Sequence, residues 1–428
     1  MALSPLSPFS PLSPLSPREV AAELLDRVLD VPGARAAPTV VAWLLAVLDA
    51  DRVELYLLDR RRERLHLAAE ARRDPSAGPA ESHLDVRASA AGQALTTEVV
   101  LEHRVDAQLV RHIPLDAHGN TRGVLTVAGP IPADRADRAD CTDGAGGTDG
   151  ADREAPTVAF GATDWRRLGR TVAVLLHHAS AGTDELELVS RTYDYSIAAE
   201  LQWQLLPPPD VATDRFGLRA LVEPAPRVTS DLFDWTLNGD RLTVALLDAS
   251  GRGLAATQAG DLALAALRNA RRSGLGIAEQ AALADQALWD RHHGHVVVHV
   301  LLLEIDLVAP AARAVHAGSA HALRRRGREV ETLDLVAHEP FGLLDRTRYE
   351  AHPVDVQPGD ALLLLSDGVV TARDPAGQVY GIEGVAHRLA HTSAARELPS
   401  WLITDVRRHA GGDLDDDATA LMLEWYAP

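Results

Sequence analysis

Residues 242–253 read L-T-V-A-L-L-D-A-S-G-R-G, and the reading of this stretch decides the fold of the second half of the chain. Thr243 to Leu247 is an apolar, β-branched run of strand length. Gly251 and Gly253 permit positive φ, so the backbone can turn sharply behind that run. The spacing predicts a strand with Asp248 at its carboxyl end. A carboxylate on a rigid strand end beside a glycine-rich turn is well placed to meet a ligand, although alone the stretch reads more simply as an ordinary turn.

Three further acids change that balance. Asp231 in V-T-S-D-L-F-D-W, Asp367 in L-L-L-L-S-D-G-V and Asp416 in D-D-D-A-T-A-L-M-L each border an apolar run. Strand-like segments recur at 218–223, 296–307, 314–317, 361–365 and 418–425. Helical stretches at 254–273, 277–289 and 382–391 separate them, which predicts a layered α/β/β/α sandwich. Four convergent carboxylates repel one another unless they are protonated or neutralised by cations. Oxygen-only ligands favour Mg²⁺ or Mn²⁺ over Zn²⁺. Two such ions bridged by one carboxylate can activate a shared water for in-line attack on phosphorus, so no nucleophilic side chain is required.

The ordered set of motifs is more specific than any member. It comprises S-I-A-A-E-L-Q-W-Q-L-L-P at 196–207, V-T-S-D-L-F-D-W, D-A-S-G-R-G-L-A-A, H-A-G-S-A-H-A-L, E-P-F-G-L, P-G-D-A-L-L-L-L-S-D-G-V and D-D-A-T. This set resembles the PPM-type (phosphatase 2C superfamily) metal-dependent protein serine/threonine phosphatases of the bacterial SpoIIE/RsbU-like branch. The resemblance implies that Asp248 bridges two ions, Mn²⁺ or Mg²⁺, while the carbonyl of Ala249 adds a ligand to one of them. Asp231 and Asp367 would complete the shell of the second ion, and Asp416 would bind the first. The nucleophile would be water held by the ions, and the substrate a phosphoprotein such as an anti-sigma-factor antagonist. Asp417, Asp415 and Asp234 are read as turn caps or groups that orient the ligands, and Thr419 as a strand residue.

Three departures from the family pattern stand out. Thr229-Ser230 replaces two glycines before Asp231, Arg252 replaces a common histidine, and Ser319 stands where the N-A-G-H segment has its histidine. Arg252 is either a phosphate contact through charge-assisted hydrogen bonds or a solvated surface group. No histidine is fixed by motif as general acid. His292, His293, His295 and His299 are read as structural or surface residues, with His295 and His299 on one face of a sheet. The alternative to an enzyme is a catalytically impaired phosphatase fold that acts by binding a ligand or phosphoprotein.

The first half has a different pattern. Residues 1–17 repeat Ser-Pro, which removes backbone donors and predicts a disordered tail. Helical periodicity at 18–29 and 39–48 gives way to strands at 52–59 and 64–70. A strand and helical turn follow within 83–95, then a hairpin at 111–127 turning at 118–120, then a helix at 165–178. V-E-L-Y-L-L-D, A-A-G-Q-A-L-T-T-E and I-P-L-D-A-H-G-N-T-R-G-V-L-T-V in this order resemble GAF sensory domains over residues 18–182. That resemblance implies a small ligand or a dimerisation role, and no cysteine is placed to attach a bilin. His66, His83 and His112 are read as surface or internally satisfied. Residues 133–156 collapse to Asp, Arg, Ala, Gly and Thr and are expected to be a disordered insertion. Residues 183–206 carry a heptad-like stripe of Leu186, Val189, Tyr193, Ile197, Leu201 and Leu205. The stripe predicts a connector helix that either packs locally or forms a homodimer.

The 428 residues with 46% hydrophobic content suit an α+β chain of two domains. A net charge of −19 disfavours nucleic acid and anionic membrane surfaces. The arginine runs at 60–64 and 324–328 are read as hairpin turns. Cys141, the single cysteine, allows no internal disulfide and fits a reducing cytoplasm. No apolar run is long enough for a membrane span, and no signal peptide is evident.

Overall fold

The computed structural model describes residues 15–76, 78–117, 120–131, 160–192, 196–225, 230–392 and 395–426. The tail before residue 15, Cys141, the insertion at 133–156, the turn residues His118 and Gly119, Tyr193 of the connector stripe and Thr229 lie outside them. The chain divides near Thr192 into two compact units.

In the first unit, helix α1 (Pro17–Leu29) begins where Ser16 and Glu19 form a capping box and Pro17 occupies the first turn. The last Ser-Pro of the expected tail is therefore a helix start, because proline's missing N–H costs nothing there. Helices α2 (Ala36–Val47), α3 (Ala90–Thr97), α4 (Ala162–Ser180) and α5 (Glu185–Ser190) accompany six strands. These are β1 (Arg52–Leu58), β2 (Arg64–Arg72), β3 (His83–Asp85), β4 (Leu101–Val105), β5 (Gln108–Ala117) and β6 (Asn120–Pro130), in the spatial order β3-β2-β1-β6-β5-β4. Side chains alternate across β1. Val53, Leu55 and Leu57 join the main core with α1, α2 and α4, whereas Tyr56 and Leu58 pack with Ala91 and Leu95 of α3.

His112 is satisfied internally, its Nδ1 lying 2.9 Å from Thr126 Oγ1. Burial, aided by His103, lowers its pKa to about 4. An unfolded chain would bind the proton near pH 6.5, so the stabilisation is complete above that pH and is lost as pH falls towards about 4. The effect amounts to about 3 kcal/mol at most. Denaturant titrations of this unit's unfolding near neutrality and near pH 4 should show that loss, and His112→Gln should remove most of the difference.

The second unit contains two sheets. One has the order β15-β12-β11-β10-β9, with β16 paired to β12, and the other β14-β13-β17-β18-β8-β7. The strands are β7 (Asp210–Ala212), β8 (Phe216–Glu223), β9 (Asp231–Asn238), β10 (Arg241–Ala249), β11 (Val298–Asp306), β12 (Ala311–Ala317), β13 (His321–Arg326), β14 (Glu329–Thr332), β15 (Ala337–His338), β16 (His352–Val354), β17 (Asp360–Leu365) and β18 (Ala418–Trp425). Helices α6 (Ile197–Leu205), α7 (Leu254–Arg272), α8 (Ile277–His292), α9 (Asp367–Thr371), α10 (Gly381–His391) and α11 (Leu398–His409) complete it. Leu242, Val244 and Leu246 of β10 meet Leu364, Leu421 and Leu423 between the sheets. Ala245 and Leu247, on the opposite face of β10, pack under α7 and α8. Val369, Leu389 and Leu402 close the other outer face. The predicted α/β/β/α sandwich is the observed one.

Three local readings are corrected and one helix is added. The connector is not one helix. Arg191 and Thr192 are non-helical between α5 and α6, and Leu186 and Val189 pack on the core of the first unit whereas Leu205 packs on that of the second. Ile197, in the middle of the stripe, is 77% exposed. The run Arg324 to Arg326 lies in β13, where Arg324 pairs with Glu331 and Asp355 and Arg326 with Asp360, so strand pairing and counter-charges hold it. Helix α11, not read from the sequence, carries Pro399 in its first turn, where proline is tolerated. Finally, His295 precedes β11 while His299 lies within it, so the two share no strand face.

Candidate metal centre

Three adjacent strands build one side of the centre. Asp248 on β10 is the register partner of Asp231 on β9 and of His299 on β11. Phe233, Leu246 and Leu301 face between the sheets, and alternation places Asp231, Asp248 and His299 on that same face at the end of the sandwich. Behind Asp248, Gly251 and Gly253 take positive φ, which a glycine adopts without strain.

The other sheet contributes the end of β17 and the start of β18. Thr419 Oγ1 donates to Asp231 Oδ2 at 2.7 Å, and Ser366 also bonds that carboxyl. Thr419 N in turn donates to Ser366 Oγ at 2.9 Å. Asp417 accepts backbone N–H groups from Ala225 at 2.7 Å, Ser230 at 2.6 Å and Asp231 at 3.2 Å, and so fixes the approach to β9. Ser230 Oγ donates to Asp248 Oδ1 at 3.3 Å.

Electrostatics mark these acids as a strained group. Burial and then the neighbouring Asp248 and Asp417 push the Asp231 pKa well up. Burial, followed by Asp367, Asp416 and Asp417, raises Asp248 to about 8. Asp417 rises to about 6 through burial, against the pull of its three N–H donors. Asp416 is raised by burial and by Asp367, while the positive charge of exposed Arg252 opposes the rise. Among the described residues no three His, Cys, Asp or Glu side chains form a ready-made ligand set. No arginine is ion-paired with Asp231 or Asp248 among them, whereas Asp234 pairs with Arg268 and Arg271. Hard oxygen donors held together without a counter-charge fit Mg²⁺ or Mn²⁺ in chemistry. Asp231, Asp248, Asp367 and Asp416, with the Ala249 carbonyl, are the groups that the sequence resemblance implies for such ions.

The order of motifs, the two-sheet sandwich and this acidic end can be set beside known proteins. Residues 238–426 match the family profile described as Stage II sporulation protein E (SpoIIE). The carboxyl-terminal domain is of the SpoIIE type. The match includes Asp248, Asp367 and Asp416, begins after Asp231 and does not extend to the first unit. No curated protein matches the chain. Among solved structures, the PP2C phosphatase domain with a regulatory fragment of the cell fate determinant SpoIIE from Bacillus subtilis is 20% identical, with a TM-score of 0.45, over 50% of this chain and 64% of that one. The SiaA PP2C domain of Pseudomonas aeruginosa is 21% identical over 48% of this chain and 85% of its own, with a TM-score of 0.42. The RsbU and RsbW domains of a Mycobacterium tuberculosis protein show 20% identity over 50% and 62%, with a TM-score of 0.44.

Within the SpoIIE-type domain, sequence reasoning named the acids and one of their supports, Asp417. Asp417 orients backbone as expected, and Asp234 is held by two arginines. Thr419 was read only as a strand residue, and its bond to Asp231 has no local signal. His299 was missed as a neighbour of the acids. Its Nδ1 accepts the Ser319 N–H at 3.1 Å, so in the neutral ring the proton sits on Nε2. Gly318, at φ 114°, passes so near that a Cβ there would lie 2.2 Å from His299 Nδ1. The glycine of H-A-G-S thus makes room for an imidazole on another strand.

Proposed function

We propose that the SpoIIE-type domain is a metal-dependent protein serine/threonine phosphatase acting on phosphoserine or phosphothreonine of a signalling protein such as an anti-sigma-factor antagonist. The observation that carries this reading is the convergence of buried Asp231 and Asp248, without a paired cation of the protein, beside Asp367 and Asp416. Two divalent ions bound there would activate water and offset the negative charge of the phosphoryl group. The protein's part is orientation: Thr419 and Ser366 hold the Asp231 carboxylate, and Asp417 holds the backbone beneath it. The amino-terminal unit is proposed to regulate the domain, through a small ligand or a homodimer. The cytoplasm is the proposed location; among the described residues no helix is long and apolar enough to cross a membrane.

The test uses the full chain: phosphate release from a phosphoserine peptide should require Mn²⁺ or Mg²⁺ and stop on chelation. A second reading, a phosphoprotein-binding domain without turnover, draws on the absence of a ready-made ligand set among the described residues. Peptide binding without phosphate release at any Mn²⁺ concentration would decide for it.

Arg252 is exposed, its charge acts on Asp416, and it is proposed to receive the substrate phosphate. Arg252→Ala should lower kcat/KM for the phosphopeptide roughly tenfold, the size of one lost charge-assisted contact. Removing a positive charge near Asp416 should leave Mn²⁺ affinity equal or tighter. Weaker Mn²⁺ binding with unchanged peptide kinetics would assign Arg252 a structural role instead.

A further inference from the structure

We infer that Gln202 of α6 is a positioning residue for the metal-binding acids, an inference that rests on the phosphatase reading above. Gln202 is fully buried, and its Nε2 donates to the Asp231 carbonyl and lies 3.5 Å from Asp417 Oδ2. Asp231 is thereby held at every polar group. Asp417 takes its N–H, Gln202 its carbonyl, and Thr419 and Ser366 its carboxyl. Only the carbonyl contact comes from outside the two sheets and their immediate turns.

The chemistry of the side chain suits that task. A donor is needed beside Asp231 and Asp417, but a lysine or arginine would neutralise the acids and repel a divalent ion. A neutral amide donates without discharging the site. Gln202 Oε1 is buried without a hydrogen-bond partner among the described residues, a costly arrangement that an apolar residue would avoid. Stability alone therefore does not account for glutamine here. Helix α6 is seated for the purpose: Arg268 of α7 donates to the Leu205 carbonyl at 2.8 Å, Ala198 and Ala199 are buried, and Leu205 packs on the core beneath α7 and α8. The helix by which the chain enters this domain thus touches an acid of the centre directly, through Gln202.

The experiment compares the full-length wild type with Gln202→Met, which conserves volume and removes the amide, and with Gln202→Asn, which keeps the amide but shortens its reach. Mn²⁺ affinity is measured by calorimetry, amide hydrogen exchange at Ser230 and Asp231 in metal-free protein, and phosphopeptide KM separately from kcat. Both variants should bind Mn²⁺ about 10–100-fold more weakly, the usual effect of losing a group that orients a ligand. Their Ser230 and Asp231 amides should exchange faster and KM should stay within a factor of about two, and in Gln202→Met melting should change little because the orphaned Oε1 is lost together with the bond. Wild-type Mn²⁺ affinity and unchanged exchange in either folded variant would overturn the inference. A wild type that neither binds Mn²⁺ nor releases phosphate would sink the phosphatase reading, while the exchange comparison would still decide whether Gln202 holds Asp231.

Discussion

Asp248→Asn should abolish divalent-dependent phosphate release while making the metal-free protein melt at a higher temperature. The substitution keeps the shape of the side chain and removes a group whose ionisation is opposed by burial and by the neighbouring acids. In the metal-free chain that carboxyl is held near pKa 8 against an ordinary value of 3.8, so its ionisation opposes folding at neutral pH. Relief of even about 1 kcal/mol corresponds to about 2–4 °C in a domain of this size. With the proposed bridging ligand gone, kcat/KM should fall on the order of 10³-fold, beyond the roughly 10–100-fold expected for a group that merely orients a ligand. Mn²⁺ should raise the melting temperature of wild type and not of the variant, since an ion stabilises only the state that binds it. Calorimetric scans with and without Mn²⁺, beside a phosphate-release assay, read all three quantities. A variant that melts lower when metal-free, or keeps more than about a tenth of wild-type activity, would show that Asp248 is an ordinary structural acid.

Gly368→Ala should be nearly as damaging by another route. A Cβ at this position would lie 1.9 Å from the Asp417 carbonyl oxygen and 3.0 Å from its carbon. The obstruction is backbone, which cannot rotate aside, so the start of α9 and the start of β18 must part. Overpacking a core commonly costs about 1–3 kcal/mol, and a backbone clash belongs at or above the upper end. The expected result is a melting temperature lower by roughly 6–12 °C. Parting these segments would also move Asp367 away from Asp416, so residual folded protein should respond weakly to Mn²⁺. Wild-type melting and metal response would mean that the two segments are not in the close approach described.

These two residues mark what a sequence can disclose about such a centre. Asp248 is visible because a β-branched run ends on it and glycines follow, a local pattern requiring no knowledge of partners. The glycine of S-D-G-V is visible as a turn residue, yet its reason, the Asp417 carbonyl pressed against it, is not. Strand β9 was obscured because V-T-S-D-L-F-D-W carries two acids inside a short run. Both are buried, Asp231 among other acids and Asp234 against Arg268 and Arg271, and no local pattern announces that neutralisation. The connector stripe had the reverse fault: a periodic pattern suggested one helix, and its apolar residues divide between two cores.

The sequence by itself determined much of the alternation of strands and helices in the second half, β9 and α11 excepted, together with the order of the four acids and the position of Asp248 at a strand end. Period-two and helical patterns, caps and glycine turns act over a few residues, and their physics is complete within them. The tertiary structure alone decided that Asp231, Asp248 and His299 lie in one row and that Asp417 grips the backbone under Asp231. It alone placed Thr419, 188 residues from Asp231 in the chain, in a bond to its carboxylate, and Gln202 on the carbonyl of the same residue. Hydrogen bonds of that kind depend on strand register and on the seating of one helix, and these arise from closing both sheets around a common core.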